Sequence, residues 1–206
     1  LPKRSVLDVG CGNGELLRLM RARYPEIQRA TGADLSDAVV EQNRRAFPEF
    51  DFEVLDIERE ALPQQAELVT CAEVIEHLDT RETAFAHLAA MVAPGGALLV
   101  TCPTGKVFPT EKHFGHTTHP DLRELEALGK TAGLSLDRVQ NWGFPVYRLT
   151  KWLTNLNPEL ALRKFAVDHY GPAQVFVSGA LYVANFLNVP SSSHGCQLFA
   201  RYRKPR

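Results

Sequence analysis

Strand and helix signals alternate along the first half of this chain, which predicts an α/β fold with a mostly parallel sheet and helices on both faces. Short apolar runs bounded by turn signals supply the strands, and segments with apolar residues at helical spacing lie between them. Three glycines at alternate positions, Gly10, Gly12 and Gly14, mark where the first strand hands over to the first helix. At 206 residues the chain is long enough for one domain with a substantial core, and no internal repeat divides it.

Val6-Leu-Asp-Val9 places apolar residues around an acid, as in a strand covered on both faces. Leu16, Leu17, Leu19 and Met20 then follow a helix that starts at Glu15 and that Pro25 must end. Arg29–Asp34 reads as a second strand ending in an acid. Ser36 is placed to cap the next helix, with Val39, Val40, Asn43 and Phe47 at helical spacing up to Pro48. Phe52–Asp56 is a third strand, again ending in an acid, and Glu67–Cys71 a fourth. Asp79 with Glu82 has the spacing of a capping box, opening a helix through Phe85, Leu88 and Met91. Ala93-Pro-Gly-Gly96 stops that helix, and Ala97–Cys102 is a fifth strand, apolar enough to be central.

From Pro103 the character changes. A loop rich in Gly, Pro, Thr and His runs to His119. A helix is expected from near Thr118 through Leu122, Leu125 and Leu128, stopped by Gly133 and followed by a strand within Leu134–Trp142. Gly143 to Tyr170 carries aromatic residues and a break at Pro158, the mark of irregular helices. Gln174–Asn188 is apolar nearly all round, which predicts a buried or capping helix. Pro190–Gly195 reads as a turn and Cys196–Arg203 as the last strand. Arg201, Arg203, Lys204 and Arg206 read as a solvated basic tail, with weak phosphate attraction the alternative.

Apolar residues make up 45% of the chain and charged residues 23%, an ordinary globular balance that excludes disorder. The net charge of −1 provides no global basic field, so no nucleic-acid partner is expected. No apolar run approaches the roughly 20 residues that span a bilayer, and no signal-peptide pattern is present, so membrane insertion is not expected. Cys11, Cys71, Cys102 and Cys196 are scattered with no CxxC pair, which suits buried thiols in a reducing cytoplasm. The chain begins almost on its first strand, which leaves room for a preceding segment.

A strand running into a glycine turn and a helix N-terminus offers backbone N–H groups and a positive dipole end to an anionic group. Dinucleotide-binding domains share that arrangement. Here, however, the spacing is Gly-x-Gly-x-Gly, and Asp8 precedes the first glycine by two residues. A carboxylate there gains nothing beside a pyrophosphate but favours a ligand with an ammonium group and a sulfonium. The alternative for Asp8 is a buried acid capping the N–H groups of the turn. Asp34, at the end of the second strand, is placed to accept both hydroxyl protons of a ribose.

Asp8–Gly14, Asp34, Asp56, Cys71-Ala-Glu73 and Ala93–Gly96, in this order, resemble the motifs of class I S-adenosylmethionine (SAM)-dependent methyltransferases over about residues 5–102. The resemblance implies a Rossmann-like class I methyltransferase fold: one domain over residues 1–206 built on a seven-stranded, mostly parallel sheet. Residues 5–102 would form the cofactor core, 103–190 a substrate-side loop and helical cap, and 195–203 the last strand. It implies SAM as methyl donor and S-adenosylhomocysteine as product. The residues around them would be Asp8, Gly10, Cys11, Gly12, Gly14, Asp34, Leu35, Asp56, Ile57, Cys71 and Glu73. Asp56 stands where the family meets the adenine amino group, a surface turn acid being the alternative.

Glu73-Val-Ile-Glu76-His77 resembles a motif of ubiquinone-pathway O-methyltransferases, coclaurine-type alkaloid N-methyltransferases and small-RNA 2′-O-methyltransferases. In the alkaloid enzymes the corresponding Glu and His meet the substrate amine. In the RNA enzymes both glutamates and the histidine ligate a divalent metal with a further, downstream histidine. On a helical turn, positions 73, 76 and 77 would share one face at the carboxyl edge of the sheet. The loop His113-Phe-Gly-His116-Thr-Thr-His119 can supply the downstream partner, although His119 can equally begin the next helix. The catalytic candidates are therefore His77, Glu76, His113 and His116. A metal would need two carboxylates and two imidazoles to converge, a set that selects no single ion, and none is included in the expected site.

The function these readings support is O-methylation of a small molecule, a sugar or natural-product intermediate, by in-line transfer with histidine-assisted deprotonation. A metal-dependent RNA 2′-O-methyltransferase and a small-molecule N-methyltransferase are the alternatives, the first weakened by the near-neutral charge. Trp142, Phe144, Tyr147, Trp152 and Phe165 either offer stacking surface to the acceptor or cover the open end of the sheet.

Overall fold

The apolar runs become the strands of one sheet in a computed structural model that describes residues 4–167, 169–189 and 193–206. Strands β1 (Ser5–Val9), β2 (Arg29–Asp34), β3 (Asp51–Val54), β4 (Ala66–Ala72) and β5 (Val92–Pro103) run parallel. Strand β6 (Ser135–Trp142) and strand β7 (Gln197–Arg203) complete the sheet in the order β3-β2-β1-β4-β5-β7-β6, with β7 antiparallel to both neighbours. The order reverses between β1 and β4, and a crevice at such a switch point is where open α/β sheets bind ligands.

Alternation along the strands divides the core in two. Val6, Leu68 and Ala97 pack with Leu17 of α1 (Glu15–Arg23) and Val40 of α2 (Asp37–Ala46). Leu7, Val9, Val69 and Leu98 pack on the opposite face with Phe85 and Leu88 of α3 (Arg81–Met91). Tyr202 of β7 is fully buried there, its ring edge-on to Phe85 at 5.7 Å and its hydroxyl donating to the Leu125 carbonyl at 2.9 Å. All four cysteines are buried free thiols.

Several boundaries differ from the sequence expectation. Strand β3 ends at Val54, two residues before Asp56. The Asp79–Glu82 capping box does not form. The N-cap of α3 is Thr80, whose amide and hydroxyl both donate to Glu58 Oε1, at 2.5 and 2.8 Å, so this end is anchored from outside the helix. Helix α3 passes straight into β5 at Val92, which puts Pro94, Gly95 and Gly96 inside the strand.

The histidine loop contains a short helix, α4 (Pro109–His113). Helix α5 (Leu122–Thr131) starts four residues after Thr118. Asp121 caps it by accepting from Glu124 N at 2.8 Å, while Thr118 is held by the Arg81 guanidinium at 2.7 Å. Arg201 and Arg203 lie within β7 and pair with Asp137 at 2.7 and 3.1 Å, and Lys204 Nζ donates to two backbone carbonyls. These cations are structural ties rather than a solvated tail.

After β6 come α6 (Val146–Thr154) and α7 (Pro158–Phe165), the short helices expected around Pro158. Helix α8 (Pro172–Ala184) and the 3-10 turn Asn185–Leu187 follow. The expectation that this segment is buried is overturned, since Phe176 is 77% and Leu187 73% exposed. No described helix is long and apolar enough to cross a membrane. Of the expected turn Pro190–Gly195, residues 190–192 lie outside the described residues.

Candidate active site

The candidate residues gather at and just past the carboxyl ends of β1, β2, β3, β4 and β5. At the end of β1, Gly10 N and Cys11 N both donate to the Ala33 carbonyl, at 2.8 and 3.0 Å. Gly12 N donates to Asp34 Oδ2 at 2.9 Å, and Asn43 Nδ2 braces the Gly12 carbonyl at 2.6 Å. Two glycines of the turn do different jobs. Gly10 has φ 73°, and a Cβ there would stand 2.2 Å from Val74 Cγ2. Gly12 has φ 49° and is exposed, and a Cβ there would meet nothing within 4 Å. The first makes room for the loop after β4, and the second leaves backbone open to a ligand.

Asp8 is 2% exposed and accepts from Thr70 Oγ1 at 2.6 Å. Burial pushes its carboxyl up to about 6 against the opposing Thr70 bond, with the nearby Asp34 charge adding to the rise. Asp8 is a buried acid but does not cap the turn, whose amides go to the Ala33 carbonyl, Asp34 and the Cys11 carbonyl, and a cation beside it would offset the burial. Asp34 is half-buried, with its second oxygen accepting from Ser36 N at 3.1 Å, and Leu35 beside it is 69% exposed. Asp56 accepts from Glu58 N at 3.1 Å and pairs with the exposed Arg59 at 3.1 Å. The side chains of Cys11, Ile57 and Cys71 are buried in the core, so these three can present only backbone groups to a ligand.

Glu73 adopts φ 57°, the one left-handed non-glycine conformation among the described residues. Its carboxylate accepts from Thr101 Oγ1 at 2.8 Å and from Gln197 Nε2 at 2.5 Å, tying the loop after β4 to β5 and β7. A 3-10 turn then covers Ile75–His77. Glu73, Glu76 and His77 therefore do not share one helical face. The reversal at Glu73 sends Glu76 inward and leaves His77 exposed.

Glu76 is fully buried, and neither carboxylate oxygen has a hydrogen-bond partner. Burial pushes it up to about 7, and the neighbouring Glu73 and Glu111 charges act in the same direction against Arg81. The His77 and His116 rings meet edge to face at 4.7 Å, and ligand atoms of Glu76, His77 and His116 lie within 4.8 Å of one another. His116 Nδ1 is 3.0 Å from His119 Nε2. His119 is buried in turn, 3.8 Å from Glu111 Oε1, which Lys151 Nζ meets at 2.5 Å. Burial, then the adjacent His77, holds His116 down to about 4, and burial also lowers His119.

His113 does not join this group. It is the exposed last residue of α4 and packs on Phe114. His119, which could equally have begun the next helix, lies ahead of α5 and joins the cluster instead. Its three-residue spacing from His116 was the available signal. Glu111 and Lys151 reach the cluster from two separate helices, and Thr101 and Gln197 reach Glu73 from two strands. No local pattern marks any of these four. Tyr147 also lies against the site, its hydroxyl pushed up to about 12 by burial and then by the Glu73 charge.

A sheet of this order, with a glycine turn after β1 and an acid ending β2, defines a class I SAM-dependent methyltransferase fold. Residues 1–164 match the profile of the family described as Methyltransferase domain, and the chain belongs to that family. Trans-aconitate 2-methyltransferase of Klebsiella pneumoniae is 37% identical over 98 residues, 48% of this chain and 38% of that protein. The enzyme of the same name from Methylobacterium radiotolerans is 30% identical over 109 residues, 53% of this chain and 42% of the relative. These matches thus span about two fifths of the relatives' own length.

Among solved structures, phosphoethanolamine N-methyltransferase 2 of Haemonchus contortus in complex with SAM superposes with a TM-score of 0.63 at 20% identity, covering 99% of this chain and 49% of that one. A SAM-dependent methyltransferase of Mesorhizobium loti gives 0.63 at 16% identity, covering 99% and 94%. At such identities the structures speak for the fold.

Proposed function

We propose that this protein O-methylates a small hydroxylated acceptor, a sugar or natural-product intermediate, with His116 as the base and His77 beside it. SAM supplies a methyl group already activated by its sulfonium. The turn fits that donor: Gly12 is open, the Asp34 carboxylate and exposed Leu35 stand at the ribose and adenine end, and Asp8 offers a buried acid to a cation. Asp56, Ile57, Cys71 and Glu73 complete the rim, the middle two through backbone.

The observation that carries the reading is the His77–His116–His119 cluster. As the acceptor oxygen forms its bond to carbon, the carbon–sulfur bond breaks and its electron pair stays on sulfur. The hydroxyl proton then needs a base. His116, held down to about 4, is neutral at pH 7 with its lone pair available. With Nδ1–H donating to His119 Nε2, the lone pair on His116 Nε2 takes the proton. The relatives named for trans-aconitate raise a carboxylate oxygen as the other acceptor. A carboxylate needs no base, and a set of histidines is redundant for it. Methyl transfer from radiolabelled SAM to matched hydroxyl and carboxylate acceptors separates the two. Labelling of carboxylates alone, at a rate indifferent to His116→Ala, overturns the hydroxyl reading.

Glu76 favours one second reading. Its two unpartnered oxygens, with His77 and His116, form a mixed oxygen and nitrogen set that fits a divalent ion holding the acceptor oxygen. A rate lost on chelation and restored by magnesium or manganese supports it, and an unchanged rate removes it. The four buried thiols suit a reducing, cytoplasmic compartment.

A further inference from the structure

A cavity of about 530 Å³ opens between the loop after β5 and helix α6, with Lys151, the ion-pair partner of Glu111, in its wall. Its wall includes Thr104, which directly follows β5, and Cys196, which directly precedes β7. The cavity therefore sits at the carboxyl edge of the sheet but away from Gly12, Asp34 and Leu35 at the ends of β1 and β2. Phe108, Phe144 and Trp152 give it aromatic walls, and Lys106, Arg148 and Lys151 bring three cations to them.

The three cations are not equivalent. Lys151 is neutralised by Glu111 at 2.5 Å, and through Glu111 it links the cavity to His119 and His116. Arg148 donates from Nη1 to the His194 carbonyl at 2.9 Å, which fixes the guanidinium without cancelling its charge. Among the described residues no carboxylate lies within ion-pair distance of Arg148 or Lys106. The cavity thus holds two uncompensated positive charges against an aromatic lining, in a chain whose net charge is −1. A planar guanidinium fork matches a carboxylate in two parallel hydrogen bonds, and aromatic walls match a flat unsaturated body.

We propose that this cavity binds the acceptor as an organic carboxylate on an aromatic or unsaturated body, its anionic end held by Arg148 and Lys106 and its hydroxyl directed toward His116. The proposal rests on the reading of this chain as a small-molecule O-methyltransferase and adds the substrate class. The carboxylate here is the handle, and the methylated atom is a separate hydroxyl.

Calorimetry with 4-hydroxycinnamate and with its uncharged amide tests it. The two probes share the ring and the hydroxyl and differ in the anionic end. The carboxylate binds the parent protein at least about tenfold more tightly than the amide, the value of one charge-assisted hydrogen bond pair. Arg148→Gln with Lys106→Gln removes that preference, while Arg148→Lys with native Lys106, which keeps the charge but loses the fork, keeps only part of it. SAM affinity, measured on the same samples, stays at the parental value and shows that the variants are folded. Equal binding of both probes, binding of neither, or a preference that survives the double variant overturns the proposal. The reaction is scored separately by methyl transfer to hydroxyl acceptors. Carboxylate preference without any such transfer leaves the anion site standing and sinks the reaction, and transfer without the preference does the reverse.

Discussion

His116 Nδ1 stands 3.0 Å from His119 Nε2, and this contact holds the orientation of the His116 ring and leaves its Nε2 outside the pair. His119 comes from just ahead of α5 and is packed against Glu111 of α4, which is itself paired to Lys151 of α6. Three elements therefore converge to set the orientation of one imidazole. A base whose ring is held by buried neighbours loses little freedom on meeting its acceptor.

His116→Ala lowers kcat for a hydroxyl acceptor by about 10²–10⁴-fold at saturating SAM, the usual contribution of a general base. His119→Ala, which frees the His116 ring without removing it, costs less. His113→Ala stays within a few-fold of the parent, because His113 is exposed and its ring packs on Phe114 rather than on the cluster. Steady-state kinetics with SAM binding by calorimetry checks all three. A His113→Ala loss as deep as that of His116→Ala contradicts the arrangement.

Glu76 makes stability depend on pH. Its folded value of about 7 lies above the ordinary 4.5, so between these limits the folded state keeps a proton that the unfolded state has released. Stability therefore falls as pH rises through this window, by at most roughly 3 kcal/mol. Glu76→Gln removes that loss. Urea unfolding should find the variant more stable than the parent at pH 8, with the advantage fading toward pH 4.5 and below. His116 acts in the opposite sense, since its depressed value costs stability as pH falls from about 6.5 toward 4, so the comparison is made at matched pH.

Two glycines of one turn should respond differently to alanine. Gly10→Ala drives a methyl into Val74 and destabilises the fold by about 1–3 kcal/mol. Gly12→Ala meets open space, so its stability cost is only the left-handed backbone penalty, about 1–2 kcal/mol. Its larger effect is on SAM affinity. Thermal unfolding and calorimetry on both variants separate the roles, and an unchanged SAM affinity in Gly12→Ala contradicts the placement of the donor.

Asp34 has one carboxylate oxygen on Gly12 N and the other on Ser36 N. Asp34→Ala leaves both donors unmet, costing about 1–3 kcal/mol of stability, and weakens SAM binding by more than the fold loses. Asp34→Asn, which keeps one acceptor, recovers part of both. The measurement is the SAM dissociation constant beside the urea midpoint.

The fold was legible because its signals are local. Arg29–Asp34 appears as a strand at the expected residues, and Ser36 caps α2 by accepting from Val39 N at 3.4 Å. The glycine spacing and Asp8 likewise carried the donor class. The errors fall where a distant residue outcompetes a local pattern. Glu58 takes the N-cap of α3 from the Asp79–Glu82 pair, and Arg81 takes Thr118 from α5. Helix α8 reads as buried from its composition, but burial depends on what packs against it, and Phe176 stays 77% exposed.

By itself, then, the sequence determined the layered α/β architecture, the glycine turn with its acids at the strand ends, and the presence of Glu76, His77 and His116. Periodicity, backbone freedom at glycine and charge at a fixed spacing are properties of neighbouring residues, so they can be read along the chain. Only the tertiary structure decided that Glu76 is buried without a partner, that His119 rather than His113 meets His116, and that Arg148 and Lys106 face the same cavity. Those outcomes depend on desolvation and on contacts between elements far apart in sequence, and both exist only once the sheet has brought the ends of its strands to one edge.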